Sequence, residues 1–343
     1  MDIIANYGNV LLILAIVFGT FMAWGIGAND VANAMGTSVG SGAVTIKQAI
    51  IIAVIFEFAG AILAGGEVTA TIRKGILDAE LFTNDPHLLV YGMMASLLAA
   101  GSWLLIASSL GWPVSTTHSI VGAIVGFGAV GVGIDAVAWS KVFQIIISWI
   151  ASPVLAGIIS FILFRSLQNL IIDTQNPFDN AKKYVPYYMF LVGFVVSLVT
   201  IFKGLKHVGL SFSTSSSYLL ALGSGLLVAI IGTLMIRNIH LNPDENKDFS
   251  FASMERVFGV LMIITAAAMA FAHGSNDVAN AIGPLAAIYS VIESGGVIGS
   301  KSALPLWILL VGGVGIVVGL ITYGHKVIAT IGTGITQLTP SRG

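Results

Sequence analysis

Long apolar runs separated by short polar breaks set the pattern of this chain. About 17–25 apolar residues are enough to cross the ~30 Å hydrocarbon core of a bilayer. Such runs fall near 8–28, 46–65, 88–110, 113–134, 142–164, 186–202, 217–236, 253–273 and 304–323. The short alternating segments of a closed barrel are missing, so the pattern predicts helices. Polar breaks occupy 66–87, 165–185 and 237–250. The first break holds Arg73 and Lys74, expected as interfacial anchors whose charges snorkel to water. The run from Val10 has neither the positive leader nor the small-residue cleavage site of a secretory signal, and reads as the first membrane helix.

Two of these runs end in one polar motif. Met22–Gly36 reads MAWGIGANDVANAMG and Met269–Gly283 reads MAFAHGSNDVANAIG, identical at ten of fifteen positions at an offset of 247. The stretches that follow, 30–44 and 277–292, are short and glycine-interrupted, which suits half-helices. The duplication divides the chain into a first transmembrane repeat (1–165), a middle segment with a polar linker (166–250) and a second repeat (251–343). Seven predicted crossings separate the starts of the two motif helices. An odd number puts the copies into the membrane from opposite sides, as in inverted-repeat transporters. The expected fold class is an all-α polytopic membrane protein: an inverted-repeat secondary transporter with broken helices and re-entrant hairpins.

Composition narrows the function. Only 9% of residues are charged, against about 25% in soluble domains, and mean hydropathy is +0.96. The main partner of this surface is the lipid bilayer, with the plasma (inner) membrane the expected location. Net charge is −1 without a basic block, which argues against nucleic acid. There is no cysteine, which removes disulfides, thiolate metal sites and thiol catalysis. Forty glycines suit close helix packing in lipid.

Ionisable groups inside a membrane are costly and mark ion or substrate paths. Asn29, Asp30 and Asn33, and their counterparts Asn276, Asp277 and Asn280, lie three or four residues apart and so share helix faces. With carbonyls freed beside Gly25, Gly27 and Gly36, they offer hard oxygen ligands for a small cation. The plainer reading is that Asp30 and Asp277 cap half-helices, a role compatible with ligation. Gly111-Trp-Pro-Val-Ser-Thr-Thr-His118 predicts a helix N-terminus at Ser115. Three hydroxyls there, from Ser115, Thr116 and Thr117, with free N–H groups, form an anion cradle without a fixed positive charge. Ordinary Ser/Thr capping is the alternative. Glu57 lies mid-helix in AVIFEFAGAILAGG and reads as a coupling or gating acid, and His118 as a gating or anion-donating group. His273 stands where the first copy has Ile26, an asymmetry that argues against a required role.

These residues resemble the inorganic phosphate transporter (PiT) family of sodium- or proton-coupled symporters. The resemblance rests on GANDVANAMGTSVGSGAVT (27–45), IFEFAGAILAGGEVTATIRKGI (55–76), PVSTTHSIVG (113–122) and GSNDVANAIGPLAA (274–287). It implies phosphate at Ser115, Thr116 and Thr117, cations at the two Asn/Asp clusters, and an acid at Glu57. Sodium is the expected co-substrate, with protons the alternative, and no other cofactor is implied. The family carries a second S-T-T-H. At the 259-residue offset between Val68-x-x-Thr71 and Val327-x-x-Thr330 it would fall near position 374, past Gly343. Sulfate is an alternative cargo, and a homo-oligomer is compatible with the sequence. A metal-dependent membrane enzyme or a passive channel fits less well, because the acids recur with amides rather than as a dense ligand cluster.

Overall fold

Two very long helices carry the two motifs. The computed structural model describes residues 3–66, 75–204, 212–240, 247–298, 304–334 and 338–343. Arg73 and Lys74 lie outside them. The described helices are α1 (Ile3–Gly40), α2 (Ile46–Ala64), α3 (Pro86–Ser109), α4 (Thr116–Phe127), α5 (Trp139–Leu167), α6 (Pro177–Val199), α7 (Thr214–Arg237), α8 (Lys247–Glu293) and α9 (Leu306–Gly334). No strand forms among the described residues; one isolated bridge joins Leu77 to Val137. Thr45 caps α2 with a reciprocal bond to Gln48, the expected solution for orphan N–H groups at a helix start.

The motif helices are not broken. Helical bonding runs through all 38 residues of α1 and all 47 of α8. Gly25, Gly27 and Gly36 therefore do not free carbonyls by unwinding, as the sequence suggested. Their value lies in packing. A Cβ on Gly27 would overlap the Ile316 carbonyl of α9, and one on Gly274 would overlap the Glu57 carbonyl of α2. Likewise Gly60 meets the Phe271 carbonyl and Gly319 meets that of Trp24. Each pair maps onto its mate by the offsets already read in the sequence, 247 for the motif helix and 259 for the helix after it. Helices in lipid associate by such small-residue contacts, since apolar burial supplies little drive there. Each motif helix thus packs, in parallel, against the second helix of the other repeat.

Between themselves the motif helices run antiparallel: Gly8 of α1 packs on Ile292 and Gly19 on Leu285 of α8. Extrapolating this register puts Ala28 level with Ser275, so the pseudo-two-fold axis passes through the motifs. An axis of this kind lies in the membrane plane and puts the motifs at mid-depth.

The run expected to cross at 113–134 does not do so. α3 climbs beside α1, with Gly101 on Phe21 and Leu104 on Gly25. It is 24 residues long, enough to cross, yet it turns at Leu110–Ser115, level with Asn29. α4 then descends, with Phe127 back against Gly92 near the start of α3. Gly111, at φ +72°, takes the left-handed conformation this turn requires. α3 and α4 together make a re-entrant hairpin. The crossings before α8 are then α1, α2, α5, α6 and α7, still an odd number, so the inversion expected from parity stands.

α5 is different in kind. Over its span from Trp139 to Ile172, its most apolar window has no buried residue. Ile150, Val154, Leu155, Ile158, Phe161 and Ile162 are all exposed, as lipid-facing residues should be. α6, α7 and the first turns of α8 form a separate core around Val185, Met189, Ile236, Val257 and Phe258.

Candidate functional site

The hairpin tip is held from both sides by asparagines of the two motifs. Asn29, fully buried, donates through Nδ2 to Ser108 Oγ (3.1 Å) and the Trp112 carbonyl (2.8 Å), and its Oδ1 accepts the Val114 N–H (2.9 Å). From the other repeat, Asn280 Nδ2 reaches Thr117 Oγ1 (3.0 Å), Thr116 Oγ1 (3.3 Å) and Asp277 Oδ1 (3.3 Å). Thr116 Oγ1 in turn donates to Asp30 Oδ2 at 2.7 Å, the short length expected of a charge-assisted bond. A continuous polar chain, Asp30–Thr116–Asn280–Asp277, therefore links the two carboxylates.

α4 begins where the sequence placed it. Ser115 is the N-cap, in extended conformation, and its Oγ accepts the His118 N–H at 3.2 Å. The N–H groups of Thr116 and Thr117 remain at the open helix end, where the macrodipole is positive. They face a cavity of about 430 Å³ lined by Pro113–Thr117, Asp30, Asn33, His273, Asn276 and Asp277. Among the described residues no Lys or Arg lines it.

The predicted hydroxyls thus have unequal roles. Thr116 is buried and its hydrogen is committed to Asp30. Ser115 is exposed and serves the cap. Thr117, which accepts from Asn280, keeps its own O–H to donate. The two motifs are likewise unequal. Asn33 is exposed and only 3.5 Å from Asp30 Oδ1, while Asn276 is exposed and makes no hydrogen bond among the described residues.

Glu57 is 2% exposed, and its Oε1 has no hydrogen-bond partner among the described residues. Its backbone touches Gly274, so it sits level with the second motif, and its symmetry mate is Ile316. The acid therefore occurs once, not twice. His118 lies outside the lining of this cavity and its ring packs, tilted by 46°, against Trp149 of α5, ring centroids 3.8 Å apart. Of the two roles read from the sequence, gating and anion donation, neither is decided by this placement, which sets His118 beside the outer face of the hairpin and not in the wall of the central cavity. His273, discounted from sequence because Ile26 replaces it in the first copy, is in the cavity wall, and its Nδ1 is buried without a partner. Three-plus-one spacing (His273 to Asn276 and Asp277) was the available signal.

The donor set is one of carboxylate, amide and hydroxyl oxygens, which suits hard cations. Among the described residues no three His, Asp or Glu side chains converge as they would around a transition metal. An amide group presents either oxygen or nitrogen on rotation, so Asn33, Asn276 and Asn280 can each turn a carbonyl to an ion.

The phosphate transporter family model matches residues 26–343. A protein of Haemophilus influenzae named as a phosphate permease is 54% identical over the whole chain, which covers 81% of that relative. The chloroplastic inorganic phosphate transporter 2-1 of Arabidopsis thaliana is 42% identical over 98% of this chain and 60% of its own length. A solved structure described as the sodium-dependent phosphate transporter superposes with a TM-score of 0.87 at 40% identity, over 97% of this chain and 80% of its own. These are transporters and permeases rather than enzymes. Eight helices are long and apolar enough to cross a membrane among the described residues. The chain is an integral, multi-pass membrane protein and belongs to the phosphate transporter family.

Proposed function

We propose that this chain carries inorganic phosphate across the membrane in symport with sodium, by alternating access. One observation carries the reading: the open N-terminus of α4 and two carboxylates of inverted repeats share one mid-depth cavity, with no fixed positive charge among the described residues that line it. A helix N-terminus with hydroxyls recognises an oxyanion. Thr117 Oγ1 and the N–H groups of Thr116 and Thr117 would hold the phosphate, with Ser115 fixing the turn. Asp30 and Asp277 oppose that anion. Two unit charges 4 Å apart repel by about 4 kcal/mol at an effective dielectric of 20. Cations remove this cost, so sodium at Asn29–Asp30–Asn33 and Asn276–Asp277–Asn280 and phosphate at α4 each raise the other's affinity.

Asn29 has both ends of its amide committed to the hairpin, so within its cluster Asp30 and Asn33 supply the oxygens for sodium; Asn280 holds the hairpin through Nδ2 alone and offers Oδ1 beside Asp277 and Asn276. Glu57 acts as a single coupling acid beside this pair. The repeats 1–165 and 251–343 form the moving frame around the site, and 166–250 the flank. The sodium-dependent relative supports sodium over protons.

The test is phosphate uptake into proteoliposomes under separately imposed sodium and proton gradients. Uptake should follow the sodium gradient and vanish in Asp30→Asn. Uptake driven only by protons would overturn the sodium assignment, and unchanged uptake in Asp30→Asn would overturn the site. Competition by excess sulfate, expected to be weak, separates the two oxyanions.

A further inference from the structure

The hairpin tip divides two cavities, not one. Val114 and Ser115 line the central cavity on one side and a second cavity, of about 530 Å³, on the other. The second cavity is walled by Ala100 and Trp103 of α3 and by His118, Ser119 and Ala123 of α4. The two lie on opposite sides of mid-depth. The central cavity extends toward Asn33 and His273, past Asp30 in the sense of α1 and before Asp277 in the sense of α8. The second cavity extends the other way, since Gly101 and Leu104 of α3 are level with Phe21 and Gly25. Between them stands one short extended segment, from Pro113 to the N-cap Ser115.

The second cavity has polar groups that an apolar lipid pocket would not need. Ser115 Oγ accepts the His118 N–H, which leaves its own hydrogen free. Ser119 donates to the Ser115 carbonyl and still offers lone pairs. The exposed ring of His118 borders the chamber and packs on Trp149. That contact is a side-chain link between the hairpin and α5, a helix whose most apolar window has no buried residue.

We infer that the second cavity is an aqueous chamber on the translocation path that takes the same oxyanion, with the Val114–Ser115 segment as its gate and the His118–Trp149 contact as the latch. This rests on the transport reading above. With the tip gripped by Asn29 and Asn280, the cradle faces the central cavity. Release of the latch lets α4 tilt, and the anion passes to the Ser115–Ser119 face.

The chain contains no cysteine, so single cysteines report cleanly. Ser119→Cys, and Leu155→Cys on the lipid face of α5 as reference, are treated in proteoliposomes with an anionic methanethiosulfonate and with a lipophilic maleimide. Ser119→Cys should react with the anionic reagent at least tenfold faster than Leu155→Cys, phosphate with sodium should slow that reaction, and Trp149→Ala should speed it. Reaction of Ser119→Cys only with the lipophilic reagent, or a rate indifferent to phosphate, overturns the chamber. Binding of radiolabelled phosphate to the same variants separates the two ideas. Retained binding with an unreactive Ser119→Cys sinks the chamber and spares the transport reading, whereas absent binding sinks the transport reading itself.

Discussion

Asn29 and Asn276 occupy the same position in two copies of one motif, yet they have opposite surroundings. Asn29 is fully buried and makes three hydrogen bonds to the hairpin; Asn276 is exposed and makes none among the described residues. The pattern reverses at the next amide. Asn33 is exposed, while Asn280 is 3% exposed and holds Thr116 and Thr117. One hairpin is thus gripped by the first amide of one repeat and the last amide of the other. Its pseudo-symmetric counterpart, the pair Asn276 and Asn33, faces open space. By the pseudo-symmetry these two amides stand where a second hairpin of the same kind would be held, so the difference lies in what each copy meets among the described residues and not in the motif itself.

The comparison can be broken at its base first. Gly27→Val and Gly274→Val each drive a side chain into a carbonyl of the other repeat. Both should cost about 3 kcal/mol or more, since the clash is with backbone that cannot step aside. Equal losses in thermal stability in detergent are expected, and a loss from one alone would break the pseudo-symmetry. Next, Asn29→Ala should cost about 2–3 kcal/mol, because it strands a buried N–H and carbonyl at the tip. Asn276→Ala should stay within about 0.5 kcal/mol, as exposed substitutions do. Comparable shifts in the pair would show that the clamp is not where the asymmetry arises.

Two subtler tests address function. Thr116→Val removes the donor to Asp30, a bond to a charged group worth about 1.5–3 kcal/mol. Sodium and phosphate affinities should both change, by about 10- to 100-fold, measured by binding in nanodiscs. Serine at position 116 should restore them; if valine is silent, the Asp30–Thr116 bond carries no coupling. Thr117→Val deletes a neutral donor worth about 1 kcal/mol, so KM for phosphate should rise about fivefold, and it also removes the oxygen that Asn280 Nδ2 holds, so stability should fall by about 1 kcal/mol. An unchanged KM would remove Thr117 from the cradle.

Much of this was written in the pattern of residues. The duplicated motif, the helical class and the Ser115 cap follow from periodicity and capping chemistry, which are local. Re-entrant hairpins were expected as part of the fold class, but which runs form one did not show, because hydropathy reports the solvent of a segment and not its direction; α3 is apolar and long enough to cross. The intact motif helices were hidden by glycine's double meaning, since it can unwind a helix or let another backbone approach. Where His118 and His273 lie was not legible for the same reason in both: spacing places a residue on a helix face, and only the neighbouring helix decides what that face meets.

The swapped pairing of α1 with α9 and α2 with α8 has a consequence for how the protein is made. Ribosomes add about 5–20 residues per second, and the partners of the first two helices lie roughly 250 residues downstream. The glycine stripes of α1 and α2 therefore wait in the bilayer for about 12–50 s before their counterparts emerge. During that interval α1 can close on α3 and α3 on α4, but the glycine faces of α1 and α2 that await α9 and α8 stay open, so biogenesis has to keep a half-built bundle soluble in lipid until the second half arrives.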